Sequence, residues 1–297
     1  MSNPALNGKI FQRETEAEAG DQGAFTPGWG SPAQEVPPGL FGAQPGSAPP
    51  PPVQRPPTRP GDGDTMRLSG TMSAAAILLG LLMVAAWFGW QAVTVTHLGT
   101  SPSGQTLVDI SAPPWLFVSV IVGFGIAILT IFKPKLARIT APLYAVAEGV
   151  FLGAISAVFN AYWAGIVVQA VMLTFGVFIM MLILFATGTV KVTQRLRTGI
   201  IAATGAVCLV YLVSIIASLF GTSVPLVHSN SGWGILFSLL VVGIASMNLL
   251  LDFDFIQQAV AMKAPRYMEW FGAFGLMITL VWLYLELLRL LAKLRSR

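Results

Sequence analysis

Six polar side chains stand in or beside long apolar runs of this chain: Glu148, Asn248, Asp252, Asp254, Glu286 and Arg289. A carboxylate inside a bilayer costs roughly 2.5 to 3.5 kcal/mol on insertion scales, so acids that persist there face a partner or a water-filled path. The chemistry open to such acids is the handling of protons or cations, because a carboxylate offers hard oxygens to a cation and exchanges it for a proton. Asp252 and Asp254 are two residues apart, about 200° around a helix, and cannot line one site. Asn248, one turn before Asp252, shares its face, while Asp254 stacks over Leu250 and Leu251. This spacing points Asp252 into a helical bundle and Asp254 toward an interface or loop.

Glu286 lies in Leu283-Tyr284-Leu285-Glu286-Leu287-Leu288, with apolar neighbours on every side and its nearest relief in Arg289 at i+3. A local pair that lets the helix end enter the membrane competes here with a functional acid. Glu148 is followed by Gly149 and Gly153, whose spacing makes a face on which another helix can approach closely. Its glutamate is either a hydrogen-bonded part of that packing face or a station on an ion pathway. His97 and His228 fall in loops and read as solvated, and Cys208 as a small packed residue. With a single cysteine there is no disulfide framework and no thiol metal site. No span contains histidine, HExxH is absent, and no serine or cysteine has a base at a sensible depth, so an enzyme is not expected. Nor is a cofactor, beyond a weak calcium site at Asp252 and Glu286.

The elements that position these residues are membrane helices. A mean hydropathy of +0.72 with 10% charged residues is too apolar for a soluble fold. Residues 1 to 65 hold 13 of the 20 prolines and seven of the 13 acidic residues, and read as a disordered, Pro-rich cytoplasmic tail. Residues 66 to 297 form the second domain, an all-α polytopic bundle. About 20 helical residues span a hydrocarbon core, and seven runs reach or approach that length: Met72 to Val93, Trp115 to Phe132, Pro142 to Trp163, Gly165 to Ala186, Gly199 to Phe220, Trp233 to Leu251 and Trp270 to Leu291. The basic residues sit at alternate ends: Arg67 precedes the first run, Lys133 to Arg138 follow the second, Lys191 to Arg197 the fourth, and Lys263 with Arg266 the sixth. Those loops are expected in the cytoplasm, with the N-terminus. Basic charge clustered between spans describes topology and excludes a nucleic-acid partner. The last run either crosses despite Arg289, Lys293, Arg295 and Arg297 or re-enters and returns.

Leu251-Asp252-Phe253-Asp254-Phe255-Ile256, followed by Leu283-Tyr284-Leu285-Glu286, resembles the Bax inhibitor-1 family of membrane proteins, its bacterial YccA-like branch in particular. Glu148-Gly149 is similar to an acidic-Gly motif of many members, and the resemblance covers roughly residues 66 to 297. It implies a seven-helix bundle with a central last helix, in a bacterial plasma membrane. It also implies a pH-sensitive calcium leak through a carboxylate pair, Asp252 and Glu286. The seventh-span acid is glutamate here where the family has aspartate. In such a pair both acids cannot ionise cheaply, so a proton competes with the cation. Two alternatives remain: a regulatory protein that binds other membrane proteins, including a membrane protease, or a proton-coupled antiporter.

Overall fold

The computed structural model describes residues 65–100, 106–221 and 231–296. The proline-rich segment and His228 lie outside these residues. Seven helices, each long and apolar enough to cross a membrane, occur among them: α1 (Leu68–Ala92), α2 (Trp115–Phe132), α3 (Ala137–Tyr162), α4 (Ile166–Ala186), α5 (Gln194–Leu219), α6 (Gly232–Ala261) and α7 (Met268–Arg295). Helices satisfy every backbone N–H and C=O within one segment, which hydrocarbon demands. The starts of α5 and α6 are capped by Thr193 and Ser231, whose side chains accept from Leu196 N at 3.3 Å and Gly234 N at 3.4 Å.

α7 is the hub. In its most apolar window 67% of residues are buried, against 17% for α2, α4 and α5. Ala74 and Leu78 of α1, Ala141 and Tyr144 of α3, and Phe274 and Met277 of α7 form one core cluster. A second joins Val242 to Phe253 of α6 with Leu276 to Leu287 of α7. Apolar side chains such as Phe117, Ile121, Phe132 and Met172 are exposed on the outside, as lipid contact requires. α1 and α3 pack through glycine: a methyl group on Gly153 would enter the Ala86 backbone, and one on Gly149 would meet the Leu82 carbonyl.

The bundle has two unlike ends. At the basic end the start of α1 joins the α6 to α7 turn, where Met66 N donates to Ala264 O at 2.7 Å and Thr65 bridges Pro265. At the other end α1 and α2 are linked by an antiparallel hairpin of β1 (Thr94–Thr100) and β2 (Thr106–Ser111). In the sequence this stretch reads as a loop between spans, and the structure pairs it into two strands. Near this hairpin end Arg295 donates to Ala164 O at 2.9 Å and Gln169 Oε1 at 3.0 Å.

Of the two courses open to the last run, it takes the first, as one unbroken helix of membrane length. Two expectations are corrected. The sixth continues past Leu251 to Ala261, so Asp252 and Asp254 lie within it instead of at its end. Cys208 is exposed, because α5 sits at the periphery and turns this face outward.

Candidate functional site

Asp252 lies where α6 meets the first half of α7. A Cβ at Gly275 would stand 3.7 Å from its Oδ1, and the Thr279 hydroxyl neighbours the same carboxylate. Its other oxygen, Oδ2, is buried without a hydrogen-bond partner, the one such side-chain nitrogen or oxygen among the described residues. An unmade hydrogen bond at a buried polar atom costs roughly 1 to 3 kcal/mol and more for a charge, so this oxygen is where a water, proton or cation would gain most.

Asn248 does not turn its amide nitrogen to Asp252. That nitrogen donates to Thr204 Oγ1 of α5 at 2.8 Å and to Ile244 O at 2.9 Å. Asp254, on the other side of α6, pairs with Arg197 at 2.5 Å and accepts from Gln258 at 2.7 Å, a polar clasp near the basic end. Glu148 stands between α3 and α2. A Cβ at Gly123 would lie 3.7 Å from its Oε2, and Tyr144 of its own helix is its side-chain partner.

Glu286 is 1% exposed. It accepts from the Tyr211 hydroxyl at 2.7 Å and from Arg289 at 3.2 and 3.4 Å. The same Arg289 nitrogen donates to Tyr211 Oη at 2.7 Å, and the guanidinium carbon lies 4.9 Å from the tyrosine ring centre. One turn on, Lys293 is buried and donates to Gly234 O at 3.0 Å and Ser238 Oγ at 2.9 Å. Glu286, Arg289 and Lys293 thus form a stripe on α7 toward α5 and α6, with two cations to one acid.

Asp252 and Glu286 are not brought together. α6 and α7 are antiparallel around a short turn, so a residue nine positions before the end of α6 meets α7 at Gly275 and Thr279. Glu286 is two turns beyond Thr279, about 10.5 Å by helical rise. The direct carboxylate pair is therefore replaced by two separate positions along one helix interface. Among the described residues no three His, Cys, Asp or Glu side chains gather to hold a metal ion.

Several participants carry no distinguishing mark in the sequence. Tyr211 is one more aromatic in an apolar run, and Lys293 is one of several basic residues at the C-terminus. Glu269, also buried, accepts from Arg67 N at 2.9 Å and so caps α1 from the first turn of α7. Its place in the short polar stretch before Trp270 was the available signal.

The family model described as Bax inhibitor 1 like matches residues 3–296, which takes in the proline-rich segment as well as the helices. No curated protein and no solved structure matches. With seven membrane-length helices, a buried α7 and a match over nearly its whole length, the chain belongs to the Bax inhibitor 1-like family.

Proposed function

We propose that the protein is a passive cation leak with calcium as its cargo, in which Asp252 is the polar station inside the bundle and the Glu286 cluster closes the hairpin end. The unpartnered Asp252 Oδ2 carries this reading. Asp254 and Glu286 each have a cationic partner, and Glu269 accepts from a backbone amide, so their carboxylates serve structure in this state. A single carboxylate with water around it holds calcium weakly, and weak binding is what conduction needs. Arg289 and Lys293 beside Glu286 repel a cation until that cluster rearranges.

Protons enter through the same group. A proton on Asp252 removes the charge that attracts a cation, so acidification slows the flux. The basic end faces the cytoplasm by the distribution of lysine and arginine, in a bacterial plasma membrane, and the protein is a conductor without enzymatic activity or cofactor. The test is calcium entry into liposomes carrying the full chain, followed across pH, for the wild type, Asp252→Asn and Glu286→Gln. Flux that falls with acidification in the wild type and loses that dependence in Asp252→Asn supports the reading. An unchanged pH profile in both variants overturns the gate, and no flux from pure protein that co-purifies with a membrane partner moves the function to regulation.

A further inference from the structure

A cleft of about 480 Å³ opens between α1 and α4, floored by α3 and α7. That volume is within the roughly 300 to 1,000 Å³ typical of small-molecule sites. It runs from Leu79 and Leu280 at its inner end to Trp90, Asn160 and Val167 near the hairpin end. Leu79 to Trp90 is about 16 Å by helical rise, or half of the roughly 30 Å hydrocarbon core. Met83, Trp87 and Val168 on its walls are exposed, so it opens outward between the helices.

The cleft is apolar with two polar features. Within it the Ser156 and Tyr284 hydroxyls meet at 2.6 Å. At its mouth Asn160 Oδ1 accepts from Gly165 N at 3.0 Å, in the turn whose Ala164 carbonyl is held by the exposed Arg295. A guanidinium at the membrane boundary suits a phosphate, and tryptophan suits the interface beside it.

We propose that this cleft binds one acyl chain of an anionic phospholipid from the leaflet at the hairpin end, with Arg295 beside the phosphate. The depth of one leaflet, the outward opening and the cation held on the turn beside the mouth favour a lipid over a soluble ligand. The site is separate from the Asp252 and Glu286 positions, and the proposal stands whether or not the protein conducts.

The experiment uses the full chain in phosphatidylcholine vesicles containing phosphatidylglycerol with a photoreactive diazirine in its acyl chain. Labelled residues are read by peptide mass spectrometry. The expected result is labelling concentrated on Leu152, Met83 and Phe175, lost in Val171→Trp, which fills the cleft. Val168→Trp serves the same purpose if Val171→Trp does not fold. Arg295→Gln keeps the labelling pattern when the probe is phosphatidylcholine but loses the preference for phosphatidylglycerol. The proposal is overturned by labelling as strong on Phe117 and Ile121 of α2 as in the cleft, by full labelling of a folded tryptophan variant, or by cross-links between two copies that cover the cleft.

Discussion

The Tyr211 hydroxyl reaches Glu286 Oε1 at 2.7 Å across the boundary between α5 and α7, and it does so while accepting from Arg289. α5 has few buried apolar residues of its own, namely Ile200 and Val207. Its attachment to the bundle therefore leans on polar contacts, of which Asn248 to Thr204 is another.

Tyr211→Phe keeps the ring, including its edge contact with Phe237, and deletes the hydroxyl. The expected loss is roughly 1 to 3 kcal/mol, the cost of leaving a charged buried acceptor short of a donor. Thermal unfolding in detergent reads it directly, and an unchanged midpoint would show that this bond does not hold α5.

Breaking the ion pair should hurt more than deleting it. Arg289→Gln leaves Glu286 charged and buried, a change that costs roughly 3 to 5 kcal/mol in buried pairs, toward the lower end here because the arginine is partly exposed. Arg289→Gln combined with Glu286→Gln is expected to recover part of that loss. A double-mutant cycle in the same unfolding assay measures the coupling.

The site around Asp252 can be probed by adding the carboxylate that the structure lacks there. Gly275→Asp places a second acid against Asp252 Oδ1, and two acids in a poorly solvated site cannot both ionise cheaply. The variant's unfolding midpoint, relative to wild type, should fall as pH rises, whereas Gly275→Asn should show no such trend. Parallel pH curves for the two variants would place residue 275 away from Asp252.

Gly153→Ala forces a methyl group into the Ala86 backbone, and overpacking of this kind costs roughly 1 to 3 kcal/mol. Gly176→Ala, with open space at its Cβ position, is expected to be neutral or slightly stabilising. Folded yield and melting temperature of the two variants, compared side by side, check the assignment of the α1 to α3 contact.

The helices were legible because a membrane span announces itself by length and composition, and their observed bounds differ from the runs mainly where polar residues continue a helix beyond its apolar part. α6 is the clearest case. Asp252 and Asp254 read as the end of a run, yet the helix goes on to Ala261, with Asp254 satisfied by Arg197 from another helix. A partner 57 residues away cannot be read from local pattern. The hairpin has a weak local signal: Thr94-Val95-Thr96 and Thr106 to Ile110 carry the β-branched residues of strands, but they stand between two spans, where a loop is the default. The separation of Asp252 from Glu286 follows from the antiparallel register of α6 and α7. Glu286 follows Asp252 by 34 residues, too many for a short turn to bring the two acids level in antiparallel helices that pack along their length.

The knot of Met66 with Ala264, and of Arg67 with Glu269, has a consequence for biogenesis. The amide at the start of the first span finds its acceptor on the last one, about two hundred residues later in synthesis. Until α7 is inserted, α1 has an uncapped start and the other helices lack the hub they surround. Assembly therefore closes from the carboxyl-terminal side, and a chain truncated before Met268 would leave the translocation machinery with six spans and no centre to gather them.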